Sequence, residues 1–132
     1  MTTYLCDTNI ISEVMKPLPN AKVKQWFQNQ AAIYLSVITV EEIVYGLSWR
    51  GATRKLHWFN RFVQMRGIVM PVTRPIAEKC GELRGNLQSQ GITKSQADVL
   101  IAATAEVHDM TVVTRNEKDF QVLSISILNP FN

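Results

Sequence analysis

Apolar positions along the chain change period repeatedly. Tyr4-Leu5-Cys6 is a short apolar run broken by Asp7-Thr8-Asn9, after which Ile10, Ile11, Val14 and Met15 recur at helical spacing until Pro17. This predicts strand, turn, helix. A second helix carries Val23, Trp26 and Phe27, Ile33 to Ser36 follows as a strand, and Val40, Ile43, Val44 and Leu47 mark a third helix. Leu56 to Val63 is helical in pattern, and Ile68 to Val72 is a strand whose Pro71 suits an edge. Ile76, Cys80, Leu83 and Leu87 form the inner stripe of a long helix ending near Gly91, and Ser95 to His108 is the next helix. Thr111 to Thr114 and Ser124 to Leu128 close the pattern as short strands around a turn of helix at Glu117 to Phe120.

Strands alternating with helices of this length call for a parallel sheet covered on both faces. The expected fold class is therefore α/β, a three-layer α/β/α sandwich on a central, mostly parallel sheet of four to five strands. At 132 residues, 46% of them apolar, the chain suits one domain spanning 1–132. No window approaches the roughly 18 apolar residues of a membrane span, and the N-terminus lacks a charged segment leading into an apolar one. The expectation is a cytoplasmic protein in which Cys6 and Cys80 are reduced core thiols.

In a parallel sheet each crossover helix starts at the edge where the strands end, so acids in those turns share an edge. Asp7 follows the first strand, Glu42 is expected in the first turn of the helix after the second, and Asp98 in the first turn of the helix feeding Thr111 to Thr114. Asn116 and Asp119 lie just past that strand. Carboxylates held within a few ångströms repel unless their pKa values rise or a cation joins them, and Mg²⁺ takes such oxygen ligands together with water and phosphate oxygens. Phosphodiester hydrolysis is the chemistry that follows. Each acid also has a structural reading: Thr39-Val40-Glu41-Glu42 and Ser95-Gln96-Ala97-Asp98 both fit a capping box, and Asp7 and Asn9 fit turn and cap positions. Independent caps, however, do not require all the acids to map to one edge.

The formal charge is only +3, but its distribution is uneven. No acid lies between Glu42 and Glu78, where Arg50, Arg54, Lys55, Arg61, Arg66 and Arg74 mix with Trp49, Trp58, Phe59 and Phe62. Such a segment holds a phosphate backbone and stacks bases, or is an amphipathic helix with aromatics inside and arginines in solvent. P-loop, dinucleotide-binding and zinc-protease signatures are absent from the sequence, and the only histidines are His57 and His108.

Four segments resemble the PIN-domain family, in particular its VapC-type toxins of the Fit or plasmid-stability group. They are Leu5-Cys6-Asp7-Thr8-Asn9-Ile10-Ile11-Ser12-Glu13, Leu35-Ser36-Val37-Ile38-Thr39-Val40-Glu41-Glu42, Ala97-Asp98-Val99-Leu100-Ile101-Ala102-Ala103, and Val113-Thr114-Arg115-Asn116-Glu117-Lys118-Asp119-Phe120. The resemblance implies a Mg²⁺-dependent endoribonuclease, with Mn²⁺ as a substitute. Asp7 and Asp98 would be direct metal ligands, Glu42 would hold a metal-bound water or complete the shell, Thr8 and Asn9 would support the turn, and Thr114 would support the fourth motif. It also implies an RNA substrate, a cognate antitoxin, and a homodimer or larger toxin–antitoxin assembly. Where many relatives carry an acid, this chain has Asn116, so a fourth carboxylate is absent or comes from Asp119. Arg115 contacts phosphate or offsets the acidic edge. Two other readings stand beside the nuclease: a PIN-like RNA-binding module that no longer cleaves, and a receiver- or dehalogenase-like phosphate-handling domain.

Overall fold

The computed structural model describes residues 2–132. Among these, β1 (Tyr4–Cys6), α1 (Thr8–Val14), α2 (Ala21–Gln28), β2 (Ile33–Ser36), α3 (Val37–Trp49), α4 (Thr53–Arg66), β3 (Gly67–Met70), α5 (Arg74–Ser89), α6 (Gln96–Val107), β4 (Thr111–Val113), α7 (Glu117–Gln121) and β5 (Ile127–Leu128) follow in order. The strands form one sheet in the order β3-β2-β1-β4-β5, and every pairing is parallel.

Side chains on a strand alternate between its faces, and here that alternation divides the core in two. Leu5 and Val112 face a layer built from α5, α6 and α7, with Ile76, Leu87, Ile101 and Phe120 in its centre. Their neighbours Cys6 and Val113 face the opposite layer of α1 to α4, with Ile10, Ile33, Leu35 and Phe59. The expected α/β/α sandwich is thus formed around a fully parallel sheet. Both cysteines are free and buried, and burial raises both thiols.

Several local boundaries differ from the sequence pattern. The strand β2 runs straight into α3 without a loop, because Ser36 turns the chain and caps the helix through Oγ on the Ile38 N–H. Thr39 is therefore a buried residue inside α3 rather than its cap, and Glu42 lies in the second turn, not the first. Pro71 falls just outside β3, consistent with its missing donor. β5 shrinks to Ile127–Leu128, and before it Ser124 takes a left-handed φ of 56°. In α4, Phe59 and Phe62 are buried, and Arg66 donates from Nη2 to the carbonyls of Phe27 and Gln30, each at 2.7 Å. That end of the basic segment is packing.

The chain runs from β1 outward to β2 and β3, then returns to lay β4 on the other side of β1. The order reverses between β1 and β4. In open parallel sheets the crevice for ligands forms at such a point, beyond the strand C-termini.

Candidate active site

Asp7 leaves β1 at this reversal, and its N–H still donates to Val113 O at 2.9 Å, as though the sheet continued one residue further. It is also the N-cap of α1, with Oδ1 accepting from the Thr8 N–H at 2.8 Å. Oδ2 accepts from Thr114 Oγ1 at 2.8 Å and from Asn9 Nδ2 at 3.0 Å. A carboxylate offers about four acceptor positions. Three are filled by the chain, which fixes the orientation of the group and leaves capacity on Oδ1. Capping and ligand binding are therefore compatible in this residue.

Asn9 ties the same two loops together. Its Nδ2 reaches Thr114 Oγ1 at 3.3 Å, and its Oδ1 accepts from the Arg115 N–H at 3.1 Å. The Thr114 hydroxyl in turn accepts from the Asn116 N–H at 3.0 Å. Thr8 works on the other side: its Oγ1 donates to Glu42 Oε1 at 2.7 Å and lies 3.2 Å from Thr39 Oγ1, linking α1 to α3. Asp98 stands in the first turn of α6, where Ser95 Oγ accepts its N–H at 3.1 Å. The return bond that would complete a capping box, from the Ser95 N–H to the Asp98 carboxylate, is not made among the described residues.

Asp7, Glu42 and Asp98 line one cavity of about 420 Å³, together with Thr8, Asn9 and Asn116. The electrostatics register this proximity. Burial chiefly, with the charges of Asp98 and Glu42 adding to it, raises the Asp7 carboxyl from its ordinary 3.8 to about 6 against the lowering effect of the Thr114 and Thr8 hydrogen bonds. No group of three His, Cys, Asp or Glu side chains packs into a ready-made metal cage among the described residues. The carboxylates share a cavity; they do not form a closed cluster.

Asp119 is directed elsewhere. Its Oδ1 pairs with Lys94 Nζ at 2.9 Å, and it does not line this cavity. Asn116 does line it, as the residue preceding α7, with no side-chain cap bond. Arg50, Arg54 and Lys55 border a separate cavity of about 490 Å³ where α3 passes into α4. Arg115 lines the acidic cavity, its guanidinium carbon 4.7 Å above the Phe131 ring.

Ser12, Glu13 and Lys16 also line the acidic cavity, and the sequence reading passed over them. Glu13 is only 6% exposed, and its carboxyl is held below the ordinary glutamate range first by a hydrogen bond from Lys16, then by the Asn20 N–H. A signal was present in the spacing: Thr8, Ser12 and Lys16, like Asn9 and Glu13, recur every fourth position and so share a helix face.

The sequence pattern of the PIN domain matches residues 4–125. Among curated proteins, the chain is 31% identical over 136 residues to Toxin FitB of Neisseria gonorrhoeae, covering 97% of this chain and 98% of that one. It is 32% identical over 133 residues to VapC ribonuclease Y4jK of Sinorhizobium fredii, covering 95% of each. Among solved structures, FitAcB from Neisseria gonorrhoeae superposes with a TM-score of 0.87 at 31% identity, over 98% of this chain and 99% of that one.

Proposed function

The chain belongs to the PIN-domain family, and we propose that it is a metal-dependent endoribonuclease acting as the toxin of a toxin–antitoxin pair in the cytoplasm. The observation that carries this reading is the convergence of Asp7, Glu42 and Asp98 on one cavity at the sheet's reversal point, with Asp7 oriented by three hydrogen bonds and destabilised in its charged form. Relatives named as a toxin and as a ribonuclease, matched over nearly their whole length, support it.

The donor set suits a hard divalent cation. It is all oxygen, it is open to solvent, and its charge on Asp7 is left unneutralised by any direct ion pair in the described residues. Mg²⁺ commonly takes one or two carboxylates and keeps water in the rest of its shell, so an open cavity fits it better than a closed cage would. Asp7 and Asp98 would hold Mg²⁺, with Mn²⁺ as a substitute, and Glu42 would complete the shell through water. When bound, the metal would polarise the phosphodiester and favour attack by water. The chain's own part is positional. Thr114, Asn9 and the Thr8 N–H aim Asp7, the Thr8 hydroxyl aims Glu42, and Asn116 offers an amide to water or to substrate. The partners in this reading are an RNA substrate, a cognate antitoxin and a second copy of the chain.

A second reading, an RNA-binding module without cleavage, is favoured by one residue: Asn116 lines the cavity where an acid would add charge, and Asp119 is committed to Lys94. Incubating a cellular RNA pool with the purified chain, in Mg²⁺ or EDTA, separates the two. Cleavage that requires metal and is lost in folded Asp7→Asn and Asp98→Asn variants is expected. Binding without cleavage in Mg²⁺ would transfer the case to the second reading.

A further inference from the structure

The acidic cavity has a basic end. Along α1, Thr8, Ser12 and Lys16 lie at four-residue spacing on one face, and all three line the cavity with Asp7. Backbone bonds from the Met15 N–H to Ile11 O and from the Lys16 N–H to Glu13 O carry the turning path two residues past Val14, to Lys16. At about 1.5 Å per residue, Asp7 and Lys16 stand on the order of 13 Å apart along that axis. Arg115 lines the cavity as well.

A lysine free to swing would be drawn onto the carboxylates and neutralise them. Lys16 is instead held by its own partner, with Nζ 2.9 Å from Glu13 Oε1. Glu13 is buried, and its second oxygen accepts the Asn20 N–H at 2.8 Å. Asn20 is itself fixed as the N-cap of α2, where its Oδ1 accepts from the N–H groups of Lys22 and Val23. The ammonium is thus linked through a chain of bonds to the start of a helix, while one or more of its three donors stay available, since the side chain is 55% exposed. Arg115 is likewise settled on the Phe131 ring. Both cations keep company of their own, and neither forms an ion pair with Asp7, Glu42 or Asp98 among the described residues.

We infer that Lys16 binds a phosphate of the RNA strand at a position away from the cleaved bond, and that Glu13 is a positioning residue acting through it. The inference rests on the ribonuclease reading for its substrate. A polyanion lying along α1 would set the phosphate to be cut at the acidic end and one further along the strand on Lys16, so Lys16 governs strand registration and affinity rather than the chemical step.

The test compares wild type with Lys16→Gln, Lys16→Arg and Glu13→Gln, using a fluorescein-labelled single-stranded RNA. Cleavage is measured in Mg²⁺, and binding by anisotropy in EDTA across a salt series. Lys16→Gln is expected to raise KM about five- to tenfold with kcat within about twofold, as loss of one solvent-screened contact of a half-exposed lysine would. It is expected to shallow the salt dependence of log K by about 0.7, the share of one phosphate on a single strand. Lys16→Arg should stay close to wild type. Glu13→Gln should raise KM while its melting curve reports an intact fold. Unchanged KM and salt slope in Lys16→Gln, with wild type still cutting, would overturn the inference and leave the nuclease reading standing. If wild type binds without cutting, the salt slope alone decides for or against Lys16. A wild type that neither binds nor cuts RNA overturns both readings.

Discussion

Thr114 Oγ1, itself fully buried, donates to Asp7 Oδ2 at 2.8 Å, joining positions 107 residues apart. This bond spans the gap between β1 and β4 where the strand order reverses, and the same hydroxyl accepts the Asn116 N–H. One threonine therefore orients the central carboxylate and shapes the turn that brings Arg115 and Asn116 to the cavity.

Thr114→Val keeps the shape and removes these bonds. A hydrogen bond to a charged group contributes about 1.5–3 kcal/mol. Urea unfolding at pH 7.5 should show a loss of that order. Because the Thr114 bond lowers the Asp7 pKa, its removal should raise that pKa further and displace the acid limb of the cleavage profile to higher pH. Thr114→Ser should behave nearly as wild type. An acid limb that stays in place in Thr114→Val would detach Thr114 from the site.

The Asp7 carboxyl also predicts how metal-free stability varies with pH. Folded, it retains its proton up to about pH 6; unfolded, it releases it near 3.8. Over that interval the native state binds more protons, so this group's contribution to stability falls as pH rises, and the full penalty persists above about pH 6. The difference amounts to about 3 kcal/mol at most, less what relaxation recovers. In EDTA the melting temperature of Asp7→Asn relative to wild type should rise between pH 4 and about pH 6, superimposed on a constant loss from the acceptor bonds that an amide cannot make. Adding Mg²⁺ should raise the wild-type melting temperature and leave the variant's unmoved. A difference between variant and wild type that stays constant from pH 4 to pH 7 would contradict the unneutralised carboxylate.

Glu42 reaches the cavity from the second turn of α3, held at 2.7 Å by Thr8 Oγ1. Thr8→Val leaves the Thr8 N–H on Asp7 and frees the Glu42 carboxylate to rotate. The expected outcome is a fall in kcat of about tenfold with little change in KM, and recovery in Thr8→Ser. Steady-state kinetics on one defined RNA measure this, and an equal loss in both variants would point to crowding in the loop instead.

Asp119 and Asp98 should separate cleanly. The Lys94–Asp119 pair is partly exposed, at 37% for the aspartate, and such pairs contribute about 0–1 kcal/mol. Asp119→Asn should lower the melting temperature slightly and cut RNA at a rate within about threefold of wild type, whereas Asp98→Asn should abolish cleavage. Loss of cleavage in both variants would return Asp119 to the acidic site.

The sequence by itself determined the sandwich and the edge on which the candidate acids gather. Period-two and period-3.6 burial are local, and so are the acids that follow β1 and begin α6; given parallel strands, their common edge follows from handedness alone. Only the tertiary structure decided which neighbours complete the site. Thr39 has the pattern of a cap, yet the unbroken passage from β2 into α3 gave that role to Ser36 and moved Glu42 one turn inward, because the start of a helix depends on where its strand ends. Asp119 and Asn116 were alternatives in the sequence, and a Lys94 that lies 25 positions away took the aspartate. Glu13 and Lys16 were visible as a helix face, but nothing local says which way that face points. Its direction was set by the packing of Ile10 and Ile11 into the core beside Cys6 and Val113, which turned the polar side toward the acids. Direction belongs to packing, since a helix carries its own pattern but not the position of what lies opposite.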